Sequence, residues 1–249
     1  MKNIVIAAGY ATRLYPLTEN TPKPLLKIGG RTILGRMLDD IDHIDAIDEH
    51  IIITNHKFSD QFREWASLQQ YVKPLTILDD GTMTNETRLG AVSDLLFAIN
   101  RLRIDDDMLV VAADNILEFS FQEFVEFAQQ KKTSCIMCHR EESLERLQRT
   151  GVVELNDDMQ VTGMEEKPAH PKSHWAVPPF YIYVKKDLDL IKSSVANGCG
   201  KDAPGNLAHY LSSHTILHAW PMSAGRFDIG SLDTYYEAQK KFGTSEALK

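Results

Sequence analysis

Short apolar runs alternate along the chain with longer amphipathic stretches, and the two kinds of segment repeat at different periods. NIVIAA (3–8), HIIITN (50–55), PLTILD (74–79), MLVVAAD (108–114) and SCIMCH (134–139) are too short for helices and read as buried strands. Between them, RTILGRMLDDI places Ile33, Leu34, Met37, Leu38 and Ile41 on one helical stripe. GAVSDLLFAINRL does the same with Ala91, Val92, Leu95, Leu96 and Ile99. Ser120 and Glu123 have the spacing of a capping box and predict a helix that opens there and runs to Lys131. Single helices between successive strands imply βαβ units. Residues 1–150 therefore predict an α/β fold, a Rossmann-like, mostly parallel sheet with helices on both faces.

Beyond residue 150 the pattern changes to an α+β elaboration. GVVELNDDMQVTGMEEK predicts a hairpin around Asn156-Asp157-Asp158. WAVPPFYIYVKKD predicts one strand, followed by helices near 187–196 and 205–213. HTILHAWPM predicts a late strand and SLDTYYEAQKKF a closing helix. No repeat, low-complexity tract or Gly/Ser/Pro-rich linker separates the halves, so the expectation is a single domain over 1–249.

Composition narrows the class. The chain has 249 residues, 43% of them hydrophobic, enough for one large α/β core. Its formal net charge is −8 with no basic run, which argues against a dedicated nucleic-acid or membrane-surface binder. No apolar stretch approaches the roughly 20 residues that span a bilayer, and no signal-peptide pattern opens the chain, so a cytoplasmic protein is expected. Three cysteines make no disulfide framework. Cys135 and Cys138 form a C-x-x-C within a predicted strand, where residues three apart face opposite ways and do not converge on a metal.

The stretch IAAGYATRLYPLTENTPKPLL asks for chemistry. Pro16, Pro22 and Pro24 stiffen a long loop after the first strand. In open parallel sheets ligands bind beyond the carboxyl ends of the strands, where this loop lies. Amides around Gly9 to Thr12 suit an anion nest; Arg13 offers a forked donor and Lys23 a point charge. Neither a Walker A loop nor a G-x-G-x-x-G fingerprint is present. Phosphate chemistry also calls for a hard cation, and Asp114 after MLVVAA and Asp228 in GRFDIGS are carboxylates that could share Mg²⁺ with a nucleotide. Both also suit helix capping, next to Asn115 and Ser231.

The order AAGYATRLYPLTENTPKP, AADN, GVVELNDDMQVTGMEEKP and FDIGS resembles the sugar-1-phosphate nucleotidylyltransferase family over residues 2 to about 242. The family's opening signature is similar to A-A-G-x-G-T-R-L-x-P-L-T-x-x-x-P-K-P and differs from this chain only at Ala11. The resemblance implies an Mg²⁺-dependent transfer of a nucleoside monophosphate from an NTP to a sugar 1-phosphate, a thymidylyltransferase-like reaction with dTTP or UTP as donor and a hexose 1-phosphate as acceptor. Residues 1–150 would be mainly the nucleotide-binding half and 151–249 mainly the acceptor-binding half. By the same resemblance Ala8, Gly9, Tyr10, Ala11, Thr12, Arg13 and Gly90 contact the nucleotide. Arg13 meets its β and γ phosphates, and Lys23 meets the α-phosphate. Asp114 and Asp228 hold the metal, and Glu166 and Lys167 in EEKP hold the acceptor and its phosphate.

Departures from the family pattern bear on substrate. Ala11 stands in place of a glycine, leaving a left-handed backbone there in question. Thr87 and Arg88 alter the base-side segment, with Arg88 facing base, phosphate or neither. Pro178-Pro179 stand where sugar-specific members tend to have Thr-Gly, removing an amide donor from the acceptor wall. Two alternatives stay open: a CTP-dependent cytidylyltransferase for phosphocholine, a phosphonate or another small phosphate, and a non-catalytic nucleotide-sugar-binding regulator.

Overall fold

The computed structural model describes residues 1–243. Strands β1 (Lys2–Ile6), β2 (Lys27–Ile28) and β3 (Arg31–Thr32) lead into helix α1 (Ile33–Ile41). Then follow β4 (Glu49–Thr54), α2 (Ser59–Ser67), β5 (Leu75–Asp79), α3 (Ala91–Leu102), β6 (Met108–Ala112), β7 (Asn115–Leu117), α4 (Gln122–Lys131), β8 (Ser134–Arg140) and α5 (Leu144–Leu147). The second half adds β9 (Gly151–Leu155), β10 (Val161–Glu166), β11 (Trp175–Val177), β12 (Phe180–Tyr183), α6 (Leu188–Ser193) and α7 (Gly205–Ser212). It closes with β13 (Leu217–Pro221), β14 (Arg226–Asp228) and α8 (Leu232–Phe242).

One ten-stranded sheet runs in the order β10-β9-β11-β8-β12-β6-β1-β4-β5, with β13 on β8. The predicted βαβ half is present: β6, β1, β4 and β5 are parallel neighbours. β12 inserts antiparallel between β6 and β8, and β13 runs parallel to β8. The β9–β10 hairpin and β11 extend the sheet antiparallel. Alternation along each strand feeds two core layers. Ile4 and Val110 face a layer closed by α3, α6 and α7, while Val5 and Val111 face one closed by α1, α2 and α4. Cys135 and Cys138 fall in opposite layers, as their spacing predicts, and burial pushes both thiols up to about 12.

Several predicted elements change. WAVPPFYIY is two strands, because Pro178-Pro179 break it: β11 pairs with β9 and β8, whereas β12 crosses to lie between β8 and β6. Ser120 does not open α4. The helix starts at Gln122 without a side-chain cap, and Ser120 Oγ accepts from Gln122 N at 3.1 Å. Helix α2 has no predicted counterpart, since SDQFREWAS buries only Ser59 and Phe62 and carries little apolar stripe.

A third, smaller cluster joins Leu14, Leu26, Ile28 and Ile33 to Ile116, Ile229 and Ala238. It packs the proline-rich loop against β7 and α8. Tyr235 Oη and Gln239 Nε2 of α8 both donate to Lys27 O, at 3.0 and 2.7 Å. The predicted stiff loop thus has a core of its own, supplied by the far end of the chain.

Inside the main core the Asp80 and Asp94 carboxyls face each other, and Asp94 is only 4% exposed. Among the described residues neither Asp80 Oδ2 nor Asp94 Oδ1 has another donor. Burial, and then the negative charge of Asp80, pushes the Asp94 carboxyl up to about 8, so the pair shares a proton at neutral pH. A carboxyl whose folded-state value is raised contributes less stability as pH climbs from its unfolded value toward the folded one. Asp94→Asn is therefore expected to be more stable than wild type, with an advantage that grows by more than about 1 kcal/mol between pH 4 and pH 8. Urea unfolding at both pH values measures it; a pH-independent difference would contradict the shared proton.

Candidate active site

The loop after β1 is shaped by buried anchors that leave its amides open. Asn55, fully buried, donates from Nδ2 to Ala8 O at 2.9 Å. Tyr10 packs its ring against Phe58 in the core and places its hydroxyl 3.4 Å from Thr82 Oγ1. Ala11 adopts the left-handed conformation, φ 46° and ψ 43°. The missing glycine therefore does not change the backbone: Thr18 Oγ1 and Leu14 N both donate to Ala11 O, at 2.7 and 3.0 Å, and hold the turn. Gly9 is exposed. Among the described residues the amides of Gly9, Tyr10, Ala11, Thr12 and Arg13 donate to no acceptor, which is the composition of an anion nest. Arg13, also exposed, makes no ion pair among them.

Two carboxylates meet beside this loop. β14 pairs antiparallel with β7, setting Asp228 opposite Asn115, and Ile229 N donates to Asp114 O at 3.0 Å. Lys23 Nζ donates to Asp114 Oδ2 at 3.1 Å. Asn115 Nδ2 donates to Asp114 Oδ1 at 2.6 Å and is itself fixed by Arg226 Nη1, which donates to Asn115 Oδ1 at 2.7 Å. Desolvation in the cleft and then the charge of Asp114 raise the Asp228 carboxyl above the usual range; Lys23, Arg226 and Arg13 act against that. The Asp228 side chain is exposed, so solvent screens its charge. Capping of α8 belongs to Ser231 and Thr234, and Asn115 begins a strand, so neither aspartate is needed as a helix cap.

Glu166 ends β10, with Lys167 next, and the charges of Glu166 and Asp114 both reach Tyr181. That tyrosine is 3% exposed, and burial followed by the charges of Glu166 and Asp114 raises its hydroxyl's pKa. The Glu166 carboxyl is also raised, by burial, with Lys167 and His209 opposing. It lies between two glycines that leave it room: a Cβ on Gly205 would stand 2.1 Å from Glu166 Oε2, and one on Gly151 at 3.1 Å. Lys167 takes a left-handed φ of 52°, its amide donating to Thr150 O at 3.0 Å, with an exposed side chain.

Gly90 is the residue that opens α3. Its φ of 93° and its approach to Lys201–Asp202, where a Cβ would lie 2.6 Å from Lys201 O, both require glycine. Ala91 N and Val92 N donate to Asp202 O and Lys201 O, each at 3.0 Å. Arg88 is paired, donating from Nε and Nη2 to the Asp202 carboxylate at 3.1 and 3.2 Å. The structure thus brings Arg13, Lys23, Asp114 and Asp228 together, and places Glu166 close enough to Tyr181 for its charge, like that of Asp114, to act on that hydroxyl. Sequence reasoning misses Asn55, Asn115, Arg226 and Asp202. Only Asn115 carries a local signal, as the polar residue that directly follows Asp114.

Open amides, two cations and two carboxylates gather beyond the ends of the parallel strands β1 and β6, an arrangement whose chemistry suits phosphate. The nucleotidyl transferase family model matches residues 2–245, and the chain belongs to that family. It is 23% identical to a UTP–glucose-1-phosphate uridylyltransferase, AglF, of Haloferax volcanii, over 97% of this chain and 96% of that protein. It is 27% identical to the bifunctional protein GlmU of Methanocaldococcus jannaschii, over 87% of this chain but only 48% of that protein, about half its length. A UDP-glucose pyrophosphorylase solved with UDP-glucose has the same fold, with a TM-score of 0.81 at 18% identity, over 97% of each chain. Among the described residues no helix is long and apolar enough to cross a membrane.

The left-handed alanine gives a direct stability test. A left-handed L-residue costs roughly 1–2 kcal/mol, partly offset in alanine by a stiffer unfolded chain. Ala11→Gly is expected to stabilise the protein by about 0.5–1 kcal/mol in urea unfolding; a destabilised variant would contradict the assigned backbone.

Proposed function

We propose that the protein transfers a nucleoside monophosphate from an NTP, with UTP or dTTP as donor, to a hexose 1-phosphate and releases pyrophosphate. The observation that carries this reading is the meeting of Lys23, Asp114 and Asp228 beside the open amides of Gly9 to Arg13. The amides and Arg13 bind the β and γ phosphates, which become the leaving group. Lys23 takes the α-phosphate, and Gly90 shapes the base side. Glu166 accepts from acceptor hydroxyls, and Lys167 holds the acceptor's phosphate. An oxygen of that phosphate attacks the α-phosphorus as the bond to the β-phosphate oxygen breaks, and pyrophosphate leaves with the electron pair. No protein nucleophile is needed; positioning and charge neutralisation supply the catalysis.

Asp114 and Asp228 suit Mg²⁺, because two oxygen ligands crowd each other's charge, as the raised Asp228 carboxyl reflects. Among the described residues no third His, Cys, Asp or Glu joins them, so phosphate oxygens and water would complete the shell. A bound Mg²⁺ would neutralise charge on the transferring phosphoryl group. Neither nucleic acid nor membrane enters this reading.

Pyrophosphate release from each NTP with a hexose 1-phosphate tests it. Turnover is expected to require Mg²⁺, and Asp114→Asn and Asp228→Asn to lower kcat at least about 100-fold with the fold retained. Unchanged activity in EDTA would overturn the metal assignment. Arg13→Ala should raise the KM for NTP, since a charge-assisted phosphate contact is worth about 1.5–3 kcal/mol; wild-type kinetics with every NTP would reduce Arg13 to a surface charge.

A further inference from the structure

Arg226 is a cation beside two aspartates that pairs with neither. It lies two residues before Asp228 on β14, so both side chains project from one face of that strand. Asn115 stands opposite Asp228 in the β14–β7 ladder and shares that face. Among the described residues Arg226 forms no ion pair. Its Nη1 donates instead to Asn115 Oδ1 at 2.7 Å, diagonally across the ladder.

Asn115 passes this contact on. Its Nδ2 donates to Asp114 Oδ1 at 2.6 Å, while Lys23 Nζ donates to Asp114 Oδ2 at 3.1 Å. Asn115 is 2% exposed, so both ends of its amide need partners within the protein. An arginine only donates and an ionised carboxylate only accepts, so the two partners demand the same orientation of the amide. Without Arg226, Asn115 Oδ1 would be a buried acceptor with no donor, and the amide would be drawn away from Asp114 toward any donor it could reach.

We infer that Arg226 is a positioning residue for the cation site: through the Asn115 amide it holds the Asp114 carboxylate in the orientation that takes Mg²⁺ beside Asp228. This rests on the metal assignment of the proposed function. The sign of one measurement separates the role from that of a bare charge. A guanidinium near a cation site repels the cation, so by charge alone its removal would tighten metal binding. Acting through Asn115, its removal loosens Asp114 and weakens binding; partners that orient a metal-ligating side chain are typically worth about 10- to 100-fold in affinity.

The test is Mn²⁺ binding to the full chain in the presence of UTP, followed by electron paramagnetic resonance. It compares wild type, Arg226→Met, Arg226→Leu, Asn115→Ala and the double variant Arg226→Met with Asn115→Ala. Arg226→Met and Arg226→Leu are each expected to weaken Mn²⁺ at least about fivefold, the loss of orientation outweighing the lost repulsion. Once Asn115 is alanine, Arg226→Met should weaken it by less than about twofold more. Unfolded chains lower the number of sites rather than their affinity, so either Arg226 variant alone carries the test. Affinity unchanged or tighter in either of them, or an equal loss with and without Asn115, would overturn the inference while Asp114→Asn and Asp228→Asn still weaken Mn²⁺. Equal affinity in wild type and both aspartate variants would instead overturn the metal assignment on which it rests.

Discussion

Two carboxylates that repel each other are held side by side, and the arrangement of the site follows from that. Asp114 is presented by the end of β6 and Asp228 by β14, a strand from the far end of the chain. The short β14–β7 ladder and the bond from Ile229 N to Asp114 O bring them together. Desolvation and the charge of Asp114 raise the carboxyl of Asp228, whose side chain remains exposed to solvent. Lys23, Arg226 and Arg13 act against that rise. Natural sequences retain such local conflicts mainly where function requires them.

The cluster around Leu14, Ile116 and Ile229 helps to hold this geometry in place. It lies between the proline-rich loop and α8, so the loop that carries Arg13 and Lys23 and the strand that carries Asp228 share one small core. Lys27 O, taken by both Tyr235 and Gln239, adds polar contacts at its edge. Cations and carboxylates from opposite ends of the chain are therefore positioned by the same packing. At the end of β10, Gly151 and Gly205 do comparable work by leaving space for Glu166.

The first half of the fold is legible in the sequence because its strands are short and apolar and its helices amphipathic, two periods that do not overlap. The second half is less so. Pro178-Pro179 sit inside what looks like one apolar run, and nothing local tells that the chain changes neighbours there. Helix α2 hides because its exposed face outweighs its buried one. The candidate site is legible as a set of residue types, through the cationic loop and the acids that follow apolar strands. Its assembly is not: the proximity of Asp228 to Asp114 is a long-range pairing, and Arg226 acts through Asn115. Ala11 shows the limit of reading glycine as the mark of a left-handed residue, since two hydrogen bonds to its carbonyl hold the same turn.

On the proposed function, Asp114 and Asp228 form one cation site completed by a nucleotide's phosphates. Mn²⁺ binding, followed by electron paramagnetic resonance in the presence of an NTP, tests this without relying on turnover. The account predicts one tight Mn²⁺ per chain in the wild type, weakened at least about tenfold in Asp114→Asn and in Asp228→Asn alike. Equal Mn²⁺ affinity in wild type and both variants would contradict it.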